Sequence, residues 1–203
     1  MLFELNHASR SEILREGRQI ARLALPMMVA QIAQVATGFV DTVMAGRVGT
    51  DDLAAVSLGA SVFITVYVTL MGVVAALNPI LSHHLGSGDA RGFGRDAGQG
   101  LWFGLLLGTL GGALMIALEP ALRQWLHLPQ EVIAKVMLFI TGAAVGMPAA
   151  MAHRALHAYA SSLGHPKAIM VVSLIALALN IPLNYILIHG LFGFPRMGGA
   201  GCG

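Results

Sequence analysis

Asp41 is the residue whose position most clearly indicates chemistry. It is a carboxylate within the first long apolar run, residues 23–46. A charged side chain near the centre of a membrane costs about 2.5–3.5 kcal/mol on insertion scales, so such groups usually face a partner or a water-filled cavity. We therefore predict that Asp41 belongs to a functional site. The alternative is that Asp41, about one and a half turns from the end of its helix, merely extends to the membrane surface.

Other polar residues accompany Asp41 at helical spacing. Gln31, Gln34, Gly38 and Asp41 recur at intervals of three, four and three, which places them along one stripe with Thr37 beside it. A stripe of amides that ends in a carboxylate should face protein or water rather than lipid.

A second polar pair lies in the last apolar run. Asn180 and Asn184 are one helical turn apart and flank Pro182. The two helices together could line one pocket, in which the carboxylate binds a hard cation with amide oxygens or takes up a proton. The alternative for the amides is a structural role, since hydrogen bonds between membrane helices average about 0.6 kcal/mol.

Composition defines the elements that must position these groups. Hydrophobic residues make up 56% of the 203 residues and charged residues 11%, and the mean hydropathy is +0.74. Crossing the hydrocarbon layer takes about 20 helical residues. We therefore predict an all-α integral membrane protein with five transmembrane helices, at about 20–46, 53–80, 98–118, 132–152 and 168–191. Pro26 and Pro182 lie inside two of these spans and favour kinks.

The distribution of Lys and Arg predicts the orientation. Eight fall at one set of span ends and four at the other, which places the amino terminus in the cytoplasm. The first set is Arg10, Arg15, Arg18, Arg22, Arg91, Arg95, Arg154 and Lys167, and the second is Arg47, Arg123, Lys135 and Arg196. Residues 1–19 then form a cytoplasmic segment, either a surface helix or a solvated tail, and residues 192–203 an external loop.

Several functional classes lack support in the sequence. Cys202 is the only cysteine, so neither a disulfide within the chain nor a cysteine metal cluster is expected. His153 and His157 share a helix face without a carboxylate beside them, which favours solvation at the membrane surface over metal binding. No basic face indicates nucleic acid, and no nucleophile motif indicates an enzyme. Glycines among charges at 82–96 indicate an inner loop, while Gly104 and Gly108 indicate close helix packing.

Four short segments together resemble the multidrug and toxic compound extrusion (MATE) family, in particular its NorM-type branch. They are residues 38–46 (GFVDTVMAG), 53–57 (LAAVS), 164–167 (GHPK) and 179–185 (LNIPLNY). The resemblance implies an antiporter of the bacterial inner membrane that exports organic cations or amphipathic drugs in exchange for Na⁺ or H⁺. It implies no cofactor, and no metal beyond Na⁺ at Asp41.

The resemblance also assigns residues. Asp41 matches the coupling acid of the first helix, Gln34 a cavity position, and Asn180 and Asn184 the polar positions of the fifth helix. Some family members carry an acid where Asn184 stands here. That departure leaves one carboxylate in this lobe and argues against a proton mechanism with paired carboxylates.

The family has twelve helices in two six-helix lobes, whereas this chain stops where the sixth helix would begin. We interpret the sequence as truncated, so that its partners would be membrane lipid and the missing carboxy-terminal lobe. Transport by alternating access requires two elements that move about a site between them. We therefore expect the 203 residues alone not to transport. Two alternatives are a flippase for lipid-linked precursors, which would favour arginines inside the spans, and a non-catalytic membrane subunit.

Overall fold

The computed structural model describes residues 10–125, 129–193 and 197–202. All regular structure in these ranges is helical, which confirms the predicted all-α class. The elements are α1 (Arg10–Val48), α2 (Thr50–Ala75), α3 (Leu77–Ser87), α4 (Ala90–Ala117), α5 (Glu119–Trp125), α6 (Gln130–Ser162) and α7 (Pro166–His189), followed by short 3₁₀ turns at Leu191–Gly193 and Gly198–Cys202.

Within the described ranges, five stretches are long and apolar enough to cross a membrane, as predicted: Leu14–Val48, Thr50–Ser87, Ala90–Trp125, Gln130–Ser162 and Pro166–His189. The second joins α2 to α3 and the third joins α4 to α5. The helices extend beyond the predicted apolar runs because backbone hydrogen bonding continues into polar sequence. In α6, for example, the helix continues through residues 153–162, which include several polar side chains, and ends at Ser162.

Close packing of α4 on α6 forms the centre of the structure. Gly104, Gly108 and Gly112 of α4 are buried against the backbone of α6. At Gly108 an added Cβ would lie 2.5 Å from Pro148 Cα and 2.7 Å from Met147 O, so only glycine permits this approach. The packing interpretation of these glycines is therefore confirmed. Helix α2 packs on the same α6, whereas α1 packs mainly on α7.

The connection between the second and third spans is much shorter than predicted. Residues 82–96 were expected to form a loop, but α3 continues to Ser87 and α4 begins at Ala90. Only Gly88 and Asp89 separate them, and Gly88 adopts the left-handed conformation (φ 74°) that commonly ends a helix. The expectation was wrong because polar residues and glycines at the ends of membrane helices can remain helical.

We expect Gly108→Ala to destabilise the chain by about 1–3 kcal/mol, the usual cost of overpacking. Gly98→Ala is the matched control, since Gly98 lies on the same helix and a Cβ added there would meet nothing within 4 Å. That substitution should be neutral or slightly stabilising because alanine favours the helix more than glycine does. Thermal unfolding of the detergent-purified variants compares the two. Equal stability of both variants would show that the α4–α6 contact is looser than described.

Candidate functional site

The structure brings Asp41, Asn180 and Asn184 together between α1 and α7. Asn184 donates an N–H to Asp41 Oδ1 at 2.6 Å, and Asn180 donates to the same oxygen at 3.1 Å. A further hydrogen bond of 3.2 Å runs from Asn184 Nδ2 to Asn180 Oδ1. Asn184 is buried, and Asp41 and Asn180 are partly buried. We call these three residues the carboxylate–amide cluster.

Helical periodicity explains why both amides reach one carboxylate oxygen. Asn180 and Asn184 lie one turn apart on α7, so their side chains project from the same face toward α1. Asp41 lies opposite them on α1, 139 and 143 residues away in sequence. All hydrogen bonds that it receives from the described residues end on Oδ1. Oδ2 is therefore the oxygen that an added cation or proton could reach without displacing an amide.

The other polar residues of the α1 stripe lie apart from the cluster. Gln31 and Gln34 are exposed on α1 and form no hydrogen bond to the described residues. The Thr37 hydroxyl donates to Ala33 O of its own helix at 3.1 Å. Pro26 and Pro182 lie inside α1 and α7, as placed from the sequence. A cavity-lining role for Gln31, Gln34 and Thr37, and a kinking role for the prolines, stay predictions.

A second carboxylate, Asp52, is buried and was not singled out from the sequence. It is only 5% exposed, although the predicted spans 20–46 and 53–80 leave it in the connection between them. Lys135 Nζ donates to Asp52 Oδ2 at 2.6 Å, and the Gly199 N–H donates to Oδ1 at 2.7 Å. Asp52 therefore ties together α2, α6 and the 3₁₀ turn after α7. We call this set the Asp52 clasp.

Glycine is required for the turn to approach Asp52 so closely. A Cβ on Gly199 would lie 2.8 Å from Asp52 Cβ, and one on Gly198 would lie 2.6 Å from Asp52 Oδ1. Gly198 also has a φ of 59°, which other residues rarely adopt. The signals in the sequence were the adjacent acids at the start of α2 and the glycine-rich run 198–201. Neither indicated which cation would pair with which acid.

A cavity of about 790 Å³ opens between the clasp and the end of α1 that lies beyond Asp41. Its walls are mostly apolar, with Arg47, Asp52 and Lys135 among the polar groups. The rings of Tyr185 and His189, also in the wall, lie tilted against each other with centroids 4.3 Å apart. Pockets of 300–1,000 Å³ accommodate drug-sized molecules. The lining residues are Met44, Arg47, Val48, Asp52, Ala134, Lys135, Leu138, Tyr185, Ile188, His189, Met197 and Gly198.

Comparison with known proteins identifies the family. A family model described as MatE matches residues 26–186. This range includes the whole carboxylate–amide cluster and, from the Asp52 clasp, Asp52 and Lys135. The chain therefore belongs to the MatE family, as the sequence motifs indicated. Together with the five candidate spans, this makes it a multi-pass membrane protein.

The curated relatives include proteins described as probable multidrug resistance protein NorM. One from Chromobacterium violaceum is 87% identical over the whole chain, and one from Neisseria meningitidis is 53% identical, each match covering 44% of the relative. Multidrug resistance protein PmpM of Pseudomonas aeruginosa is 41% identical over 94% of the chain and 40% of its own length. The chain thus spans less than half the length of these relatives.

Solved structures show the same fold. A MOP superfamily transporter from Pyrococcus furiosus aligns with a TM-score of 0.80 over 90% of this chain and 40% of that one. A crystal structure described as MATE in the straight conformation aligns with a TM-score of 0.79 over the same shares. Both are 23% identical to the chain, so they support the helical architecture rather than a particular activity.

We expect Lys135→Met to destabilise the chain by about 2 kcal/mol, because it leaves buried Asp52 without its ammonium partner. The cost is below that of breaking a fully buried pair because the Lys135 side chain is 36% exposed. The matched control is Arg123→Met. Its ion pair with Glu119 is exposed, so the loss should be under about 1 kcal/mol. Thermal unfolding in detergent measures both, and the double variant Asp52→Asn/Lys135→Met should recover part of the loss. An equal effect of the two single variants would contradict a buried clasp.

Proposed function

We propose that this chain forms the amino-terminal part of a secondary multidrug efflux antiporter of the bacterial inner membrane. It would export organic cations or amphipathic compounds in exchange for Na⁺ or H⁺, and it would not be an enzyme. The observation that carries the proposal is the carboxylate–amide cluster, in which Asp41 meets only neutral partners among the described residues. Membership of the MatE family and the names of the relatives support the same activity.

The chemistry of the cluster suits ion coupling. Two amide N–H groups stabilise the ionised form of Asp41 without neutralising its charge, so the site keeps an attraction for a cation. Binding of Na⁺ would recruit Oδ2 and amide oxygens, because hard cations prefer oxygen ligands. Protonation would instead remove the charge that the two amides solvate. Either event changes the contact between α1 and α7, which gives the ion a means of favouring one conformation.

The cavity at the carboxyl ends of α1 and α7 and the amino end of α6 offers a second line of support. It is large enough for a drug-sized compound and predominantly apolar, as a site for amphipathic molecules should be. Met44, one turn beyond Asp41 on α1, belongs to its wall. A substrate in this cavity would therefore be separated from the ion site by a single helical turn, so occupation of one site could affect the other.

The experiment uses the Chromobacterium violaceum relative with these 203 residues in place of the region that they match at 87% identity. We call it the grafted protein. In proteoliposomes with a fluorescent organic cation and an imposed Na⁺ or proton gradient, Asp41→Asn should reduce gradient-driven transport to background. Asp51→Asn is the matched control, because it removes an exposed acid by the same substitution. Normal transport by the Asp41 variant would refute the assignment.

We also propose that the amino terminus lies in the cytoplasm and residue 203 outside, from the bias of eight basic residues against four. In a grafted protein with Cys202 and any cysteine of the relative's own region replaced by serine, Thr50→Cys and Ser87→Cys each place a single thiol at an exposed end of a different helix. An impermeant maleimide added to spheroplasts should label the thiol at position 50 and spare that at 87, while both react after lysis. Labelling of the thiol at 87 but not of that at 50 in unlysed spheroplasts would mean that the orientation is reversed.

A further inference from the structure

Arg154 is a cation near the carboxyl end of α6 for which the described residues supply no acid. It lies about two turns before α6 ends at Ser162, and it is partly buried. None of the ion pairs among the described residues includes it. Arginines within membrane helices are usually paired or mark a binding site. The guanidinium is thus available to an anion from outside the described part of the chain.

Three further polar side chains lie beside Arg154. Tyr67 of α2 and His153 and His157 of α6 all interact electrostatically with the guanidinium. The two imidazoles lie one helical turn apart, with their ring centroids separated by 6.5 Å. Tyr67 is held by stacking on Phe63, at 5.5 Å between ring centroids. We call Arg154, Tyr67, His153 and His157 the Arg154 cluster.

Every member of the Arg154 cluster can donate a hydrogen bond. A guanidinium carries several N–H donors and no acceptor, and a tyrosine carries an O–H donor. An imidazole offers an N–H in either protonation state, so the cluster presents donors whether or not its histidines are charged. Phosphate oxygens accept several such bonds at once, and arginine often binds phosphate through two parallel N–H groups. The cluster therefore has the composition of a phosphate-binding site.

The surroundings of the cluster favour a phosphate that carries acyl chains over one dissolved in water. Ile64 and Val68 neighbour Tyr67 on α2 and are 54% and 50% exposed. Leu156, next to the histidines on α6, is also about half exposed. In membrane-spanning helices such apolar side chains can contact hydrocarbon, so acyl chains can lie along them while the headgroup reaches Arg154. Basic pockets between membrane helices bind anionic headgroups in this way.

We propose that the Arg154 cluster binds the phosphate of an anionic phospholipid between α2 and α6. Because Arg154 has no counter-charge among the described residues, an anionic headgroup gains more there than a zwitterionic one, which brings its own cation. The bound lipid bridges two spans near the end of the bundle where Tyr159 of α6 meets Phe93 of α4, at 5.4 Å between ring centroids. The proposal does not depend on the transport activity proposed above.

Native mass spectrometry of the grafted protein in detergent tests the cluster. The protein is titrated with phosphatidylglycerol or with phosphatidylcholine of the same acyl chains, and the fraction that carries lipid gives each affinity. Phosphatidylglycerol should bind about fivefold or more tightly, the usual contribution of one basic residue beside anionic lipid. Arg154→Gln should remove this preference. Arg91→Gln is the matched control and should retain it, because the same substitution there removes an exposed arginine at the start of α4.

Tyr67→Phe provides a second, independent variant, which removes the hydroxyl but retains the ring that stacks on Phe63. It should weaken the binding of phosphatidylglycerol and leave that of phosphatidylcholine unchanged.

The proposal is overturned if the two lipids bind equally, which would favour an acid of the relative's own region as the partner of Arg154. It is also overturned if Arg154→Gln keeps the preference. Displacement of the lipid by excess inorganic phosphate at constant ionic strength would overturn it in favour of a site for soluble anions. Should Arg154→Gln fail to fold, unchanged binding of phosphatidylglycerol by Tyr67→Phe overturns it instead.

Discussion

A carboxylate inside a membrane has to obtain its hydrogen bonds from protein, because the hydrocarbon layer supplies none. In this chain Asp41 obtains them from Asn180 and Asn184, and the requirement brings α1 against α7 although they are the first and last of the five spans. The same contact explains why α1 packs mainly on α7 rather than on α2, its neighbour in sequence. This polar requirement thus favours the contact between α1 and α7.

The partly buried Asp41 and the buried Asp52 differ in the charge of their partners. Asp52 meets the ammonium of Lys135 at 2.6 Å, so its charge is compensated within the protein and the pair acts as a structural clasp. Asp41 meets only amides among the described residues, so its charge is solvated but not neutralised. An uncompensated carboxylate can still gain free energy from a cation, whereas a compensated one would first have to release its lysine. This difference supports assigning ion coupling to Asp41 rather than to Asp52.

Sequence reasoning succeeded where the governing physics is local. Hydropathy over about 20 residues predicts five spans, and helical periodicity places Asn180 and Asn184 on one face, as the structure confirms. It failed where two distant segments must meet. Lys135 lies 83 residues from Asp52, and no spacing rule links them. The contacts of His84 with Asp89 and Asp96 were likewise not predicted, because residues 82–96 were expected to form a loop and not two helix ends.

The chemistry of the contacts divides the described helices into a rigid part and an adjustable part. Between α4 and α6, glycines lie directly on backbone atoms at Met147, Pro148 and Ala144, and such close packing leaves no alternative arrangement of similar energy. Between α1 and α7, by contrast, the cluster depends on hydrogen bonds to Asp41 Oδ1 that change in strength when Asp41 gains a proton or a cation. In the proposed antiporter, an ion bound at Asp41 would therefore act on the contact between α1 and α7, whereas the close packing of α4 on α6 would stay as it is.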